Sequence, residues 1–256
     1  MSFHPGEIDV VDWLTGEEKI KLLEDREHVD DPSLPPYIKV QPEKQGKLVW
    51  FSGPPGAGKS TTAQLLAGNN GFVYYEADCL SIFANPFIDI HTPNPSMAQM
   101  KQKPMKGVTN ELTKAIELRN EMMKTIEEDN ADGSMEKFGE IGYITAKEIK
   151  KQKERIGGDW AIAFAVLTRK QRDELRKILG PDLIFIVLNI TLDCNNKRLM
   201  KRHGDNENTK LMVKKFENMI KKYEVAGDDE ENAFNITITD DMTPEDVAIQ
   251  ATGILQ

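Results

Sequence analysis

The chain has 256 residues, 39% hydrophobic and 29% charged, enough for one large domain with appendages. Its formal net charge of −9 excludes the global basic field of a nucleic-acid binder, though not a local basic pocket. No apolar run is long enough for a membrane span, Met1-Ser2-Phe3-His4 has no leader pattern, and Cys79 and Cys194 lack metal-binding spacing, so a cytoplasmic protein with no nucleic-acid or membrane partner is expected.

Residues 1–46 read as an N-terminal extension and linker. Thr15 stands three positions before Glu18, the spacing of a capping box, and a helix-like stretch with Ile20, Leu22 and Leu23 follows. Asp31-Pro-Ser-Leu-Pro-Pro36 is the connector. The main domain is expected over residues 47–256. Leu48-Val-Trp-Phe51 is a short apolar run leading into a glycine-rich turn, as in a buried strand, and a helix is expected from Ser60 to Gly68. Phe72-Val-Tyr-Tyr75 is a second strand. Between the second and third strands lies a long segment, 84–158. Prolines at 86, 93, 95 and 104 break its first part, and a helical pattern runs from about Asn110 to Glu128. The polar stretch 129–158, with glycines at 133, 139, 142, 157 and 158, is expected to be an insertion holding a helix near 145–155.

Strands and helices then alternate. Strand Trp160–Leu167 precedes helix Arg169–Leu179, and strand Leu183–Ile190 precedes helix Leu192–Arg202. A helix over Lys210–Tyr223 has an apolar stripe at Leu211, Val213, Phe216 and Ile220. Strand Phe234–Ile238 follows, and Thr243 caps a last helix with Pro244 at its first position. This alternation implies an α/β fold, with a parallel sheet of about five strands between two helical layers.

The strongest motif is Gly53-Pro54-Pro55-Gly56-Ala57-Gly58-Lys59-Ser60-Thr61, a complete G-x-x-x-x-G-K-[ST] phosphate-binding loop between a strand and a helix. Glycines let the backbone wrap closely around phosphates with its N–H groups inward. Lys59 reaches the β- and γ-phosphates, Ser60 is placed to ligate Mg²⁺, and the following helix offers its N-terminus to the negative charge. The bound nucleotide is expected to be ATP with Mg²⁺. Asn195-Asn-Lys-Arg198 does not match the guanine-reading Asn-Lys-x-Asp of GTPases. The strand through Ala161–Leu167 ends in Thr168-Arg169 rather than in the acidic pair of motor ATPases. Small size and the variable 84–158 segment favour a small-molecule kinase.

Three stretches carry a family resemblance. They are the phosphate loop with its flanks, the segment Ala165-Val-Leu-Thr-Arg-Lys-Gln-Arg-Asp-Glu-Leu-Arg176, and Arg198-Leu-Met-Lys-Arg202-His-Gly204 followed by a helix with Lys215-Phe216-Glu217. Over roughly residues 47–80 and 160–254 the chain resembles the small P-loop kinases of metabolites, most of all gluconate kinase and more distantly shikimate kinase. The resemblance implies the P-loop NTPase three-layer αβα sandwich of the nucleoside-monophosphate-kinase-like type, with a lid at 198–210 and the acceptor side within 84–158. It implies transfer of the γ-phosphoryl group of ATP to a small metabolite, such as a sugar acid or related hydroxyl compound. Two departures stand out: the lid continues with acidic Asp205-Asn-Glu207, and Lys103-Pro-Met-Lys-Gly107-Val-Thr-Asn-Glu-Leu112 lacks the Asp-Arg-Trp elements of the gluconate kinase acceptor signature.

Further candidates lie at strand ends, where ligands bind in such sheets. Asp78, in Glu76-Ala-Asp78, can accept the acceptor's hydroxyl proton, orient the acceptor or contact Mg²⁺, with Glu76 a weaker alternative. Arg169 and Arg172 can stabilise transferring phosphate or grip an anionic acceptor, or else form a solvated helix face with Asp173 and Glu174. Arg198 and Arg202 share one helix face; Arg202 is expected nearest the γ-phosphate and Arg198 toward adenine. Met97, Met100, Met105, Met122 and Met123 read as helix core, and Asp228-Asp-Glu-Glu231 as a solvated loop. Two other functions remain open: a nucleoside or nucleoside-monophosphate kinase, and a non-catalytic ATP-binding interaction protein. The sequence does not give the oligomeric state.

Overall fold

The computed structural model describes residues 41–78, 110–127 and 131–256. The expected N-terminal helical stretch and the proline-broken segment 84–106 lie outside the described residues.

The central strands are apolar on both faces, so they must be covered on both. In β1 (Gln41–Ser52), Leu48 and Trp50 join one core while Val49 and Phe51 join the other. The same alternation divides Trp160 and Ile162 from Ala161 and Ala163 in β3 (Gly157–Ala163), and Phe185 and Val187 from Ile186 and Leu188 in β4 (Ile184–Ile190). With β2 (Val73–Glu76) and β5 (Ala233–Ile238) they form a five-stranded sheet in the order β2-β3-β1-β4-β5, parallel at every pairing.

Helices make the crossovers that parallel pairing requires. They are α1 (Lys59–Asn70), α2 (Asn110–Glu127), α3 (Ala131–Ile156), α4 (Arg169–Leu179), α5 (Leu192–His203), α6 (Glu207–Ile220) and α7 (Pro244–Leu255). α1 and α7 cover one face, where Ala63, Ala67, Ala161 and Ala163 allow close approach beside Phe51, Leu66 and Val247. α2, α3 and α4 cover the other, which is aromatic: Trp50, Phe138, Trp160, Phe164 and Phe185 are buried there. This is the three-layer αβα sandwich expected. The β1 and β2 ends and the start of α1 come together at one edge, which positions the phosphate loop.

Four details differ from the sequence expectations. The 129–158 stretch is not a loop around a short helix; α3 is one helix of 26 residues. Its glycines sit where an added Cβ would make only ordinary contacts with neighbouring elements. An added Cβ at Gly139 would lie 3.4 Å from Gln171 Nε2, and one at Gly142 would lie 3.6 Å from Phe164. Packing of α3 on the sheet and α4 outweighs the roughly 1 kcal/mol that each helical glycine costs. β1 begins at Gln41, inside the stretch read as linker, and its early pairing with β3 is irregular. β3 leaves the ladder after Ala163, although Phe164 to Leu167 stay buried. On α6, Val213 is buried but Leu211 is 54% exposed, so the expected stripe is broken there. Thr243 caps α7 as expected, in a capping box with Asp246.

Candidate active site

The loop from Gly53 to Gly58 joins the end of β1 to the start of α1. Gly56 and Gly58 take φ values of 87° and 97°, a region unfavourable to any residue with a Cβ. Gly56 also lies tight against α5, where an added Cβ would fall 2.6 Å from Asn195 Oδ1 and 3.0 Å from Leu199. Ala57 N–H donates to the Pro54 carbonyl at 3.2 Å. Gly58, at the N-cap of α1, provides no side-chain cap, and no acidic residue stands in the first turn. The helix N-terminus therefore faces the loop with N–H groups suited to an anion. The Lys59 ammonium folds back on the loop and donates to the Gly53 and Pro54 carbonyls at 2.9 Å each. Burial pushes its pKa down, against the pull of Asp78 and Glu76, and Arg202 adds to the depression.

Two carboxylates stand beside this lysine. Glu76, the last residue of β2, is buried; its Oε2 accepts from Tyr74 Oη at 2.7 Å, and its Oε1 has no hydrogen-bond partner among the described residues. Burial, then the charge of Asp78, raises Glu76 to about 7, while the Tyr74 and Ser60 hydroxyls and Lys59 favour its charged form. Burial likewise raises Asp78, opposed by Lys59 and by Arg119 from α2. The Ser60 hydroxyl, Glu76 and Asp78 thus offer hard oxygen donors of the kind Mg²⁺ takes. Glu76 is more central than the sequence suggested, because Tyr74 from its own strand and Ser60 from α1 both act on it. Arg119 was missed altogether: in sequence it is one of several charges on an amphipathic helix, and only the fold brings it to Asp78.

The arginines divide. Arg202, exposed in the last turn of α5, lies near enough to Lys59 for its charge to act there. Arg198 reaches the turn after β5, where its Nη2 donates to the Thr239 and Met242 carbonyls at 3.1 Å each. Within the stretch expected to form a lid, residues 204–206 connect α5 to α6, and Asn206 Oδ1 accepts from Thr209 N–H at 3.0 Å.

Arg172 and Arg169 do not join the site. The Arg172 side chain is 0% exposed; its Nε and Nη2 donate to the two oxygens of Glu230 at 2.7 Å each, and Nη1 donates to the Glu224 carbonyl at 2.9 Å. Arg176 adds a bond to Glu230 Oε1 at 3.1 Å. Arg169 is 44% exposed and pairs with Asp229 at 2.8 Å. These cations brace α4 against residues 224–231, and Glu230, read from sequence as solvated, is buried as their counter-charge.

No family model matches the sequence, and no curated protein matches it. Solved structures match the fold. A sugar kinase from a Janibacter species is 19% identical, covers 82% of this chain and 94% of its own, and superposes with a TM-score of 0.50. A gluconokinase from Sinorhizobium meliloti is 16% identical, with 82% and 91% covered and a TM-score of 0.46. The APS kinase of Mycobacterium tuberculosis, in complex with AMPPNP and APS, is 14% identical, with 83% and 98% covered and a TM-score of 0.47. The chain has the fold of the P-loop small-molecule kinases. Among the described residues no helix is long and apolar enough to cross a membrane.

Proposed function

We propose that the protein is an ATP-dependent kinase that moves the γ-phosphoryl group of ATP to a hydroxyl of a small metabolite. One observation carries this reading: Lys59, in a complete phosphate loop, and Asp78, just past the end of β2, interact electrostatically, with Arg202 and Arg119 flanking them. That arrangement sets a phosphate cradle beside a carboxylate that can take a proton.

Mg·ATP bound in the cradle supplies the phosphoryl group and a divalent charge that shields it. Gly53, Gly56 and Gly58 shape the backbone cradle, and Lys59 exchanges its two carbonyl partners for phosphate oxygens. Ser60 and Glu76 would hold the metal side. Asp78 orients the acceptor hydroxyl and accepts its proton; burial makes it a stronger base than a solvated aspartate. Arg202 stabilises charge on the transferring group and Arg198 anchors α5 to the turn after β5. The pairing of Asp78 with Arg119 suits an acceptor that carries both a hydroxyl and an anionic group, as a sugar acid does.

The test is ADP release from Mg·ATP over a panel of sugar acids, sugars, shikimate, nucleosides and nucleoside monophosphates. Stimulation by an anionic hydroxy compound, with a matching phosphorylated product, is expected. Stimulation by nucleosides or nucleoside monophosphates alone would replace this acceptor class. ATP binding with no transfer to any of them would favour a nucleotide-dependent binding protein.

A further inference from the structure

Asn195 lies at the end of the first turn of α5 with its side chain 0% exposed, and neither Oδ1 nor Nδ2 has a hydrogen-bond partner among the described residues. The backbone does not explain it, since the Asn195 N–H makes the ordinary helical bond to the Thr191 carbonyl at 2.9 Å. Its neighbours on this face, Cys194 and Leu199, are buried, so an apolar residue would fit the helix face without leaving polar atoms unpaired. A buried amide without partners destabilises the state in which it is found, which makes its presence informative.

What it touches is the phosphate loop. Its Oδ1 is so close to Gly56 that no Cβ fits between them. In the same loop, the Gly53 and Pro54 carbonyls are occupied by the Lys59 ammonium. A nucleotide that recruits Lys59 removes that donor from both carbonyls. Asn195 carries two spare N–H donors and a spare acceptor beside the loop that loses them.

We infer that Asn195 is a positioning residue: its amide pairs with the loop backbone around Pro54–Gly56 when nucleotide draws Lys59 away, coupling α5 and its Arg202 to phosphate binding. This rests on the nucleotide-binding reading above. The exchange leaves the nucleotide-free protein under-bonded and the nucleotide-bound one satisfied. Part of the stabilisation on binding then comes from the protein rather than from the ligand.

The experiment replaces Asn195 by leucine, similar in shape and without polar atoms, and measures two quantities. In the nucleotide-free protein, Asn195→Leu is expected to raise the melting temperature by roughly 3 °C. In calorimetric titration with Mg·ATP, it is expected to weaken binding about tenfold. A purely structural asparagine would not give opposite signs. Unchanged affinity, or a lowered melting temperature, would overturn the inference while leaving wild-type ATP binding intact. Failure of the wild type itself to bind Mg·ATP would overturn the phosphate-site reading and this one with it. A second measurement does not depend on the variant. In the wild type, the Asn195 side-chain amide protons should exchange more slowly once Mg·ATP is added, and no slowing would count against the pairing.

Discussion

The phosphate loop and the α4 brace offer cations at the carboxyl ends of neighbouring strands, Lys59 after β1 and Arg169 and Arg172 after β3, yet they serve opposite ends. Lys59 is held by two neutral carbonyls of its own loop. Arg172 is held by a buried, bidentate carboxylate 58 residues away. The first set of partners is local and can be exchanged for phosphate. The second is charge-assisted and desolvated, and breaking it strands a buried charge. A cation grips a ligand only where its partners in the empty site are weak enough to release it.

That contrast can be broken experimentally, beginning with the largest effects. On the catalytic side, Asp78→Asn should lower turnover by about 10²- to 10⁴-fold, the usual range for a positioned base, with the fold unchanged by circular dichroism. On the structural side, Arg172→Ala should destabilise the protein by about 3–5 kcal/mol in denaturant unfolding, because Glu230 keeps its burial and loses its main partner. Activity per folded molecule should persist in that variant, whereas a turnover loss matching that of Asp78→Asn would return Arg172 to the site. Arg169→Ala, at an exposed pair, should change neither melting nor turnover measurably.

A smaller effect follows from pH. Burial alone would raise Glu230, but its hydrogen bonds and ion pairs with Arg172 and Arg176 hold it below the usual carboxylate range. A depressed carboxylate adds stability above its unfolded pKa of about 4.3, and this is lost as pH falls through the folded value. Melting temperature should therefore drop on acidification below about pH 4, and Glu230→Gln, less stable at neutral pH, should show a shallower acid loss.

The sequence made the sheet legible because the central strands are apolar on both faces, a local pattern that Leu48 to Phe51 and Phe185 to Leu188 display openly. The phosphate loop was legible for the same reason: its chemistry is contiguous, and each residue acts through backbone geometry or a short reach. What stayed hidden depends on residues brought together from afar. Arg119 gains its meaning from Asp78, 41 positions earlier, and the burial of Glu230 depends on two arginines of α4. The glycines of α3 read as breakers because the packing that outweighs their cost, against Phe164 and Gln171, belongs to other elements.

The most direct measurement is calorimetric titration of Mg·ATP into the wild type and Lys59→Ala, with turnover followed on the best acceptor. The wild type is expected to bind and transfer. Lys59→Ala should remain folded, bind at least about tenfold more weakly and lose turnover. Equal affinity and turnover in the two proteins would contradict the assignment of this loop as the phosphate site.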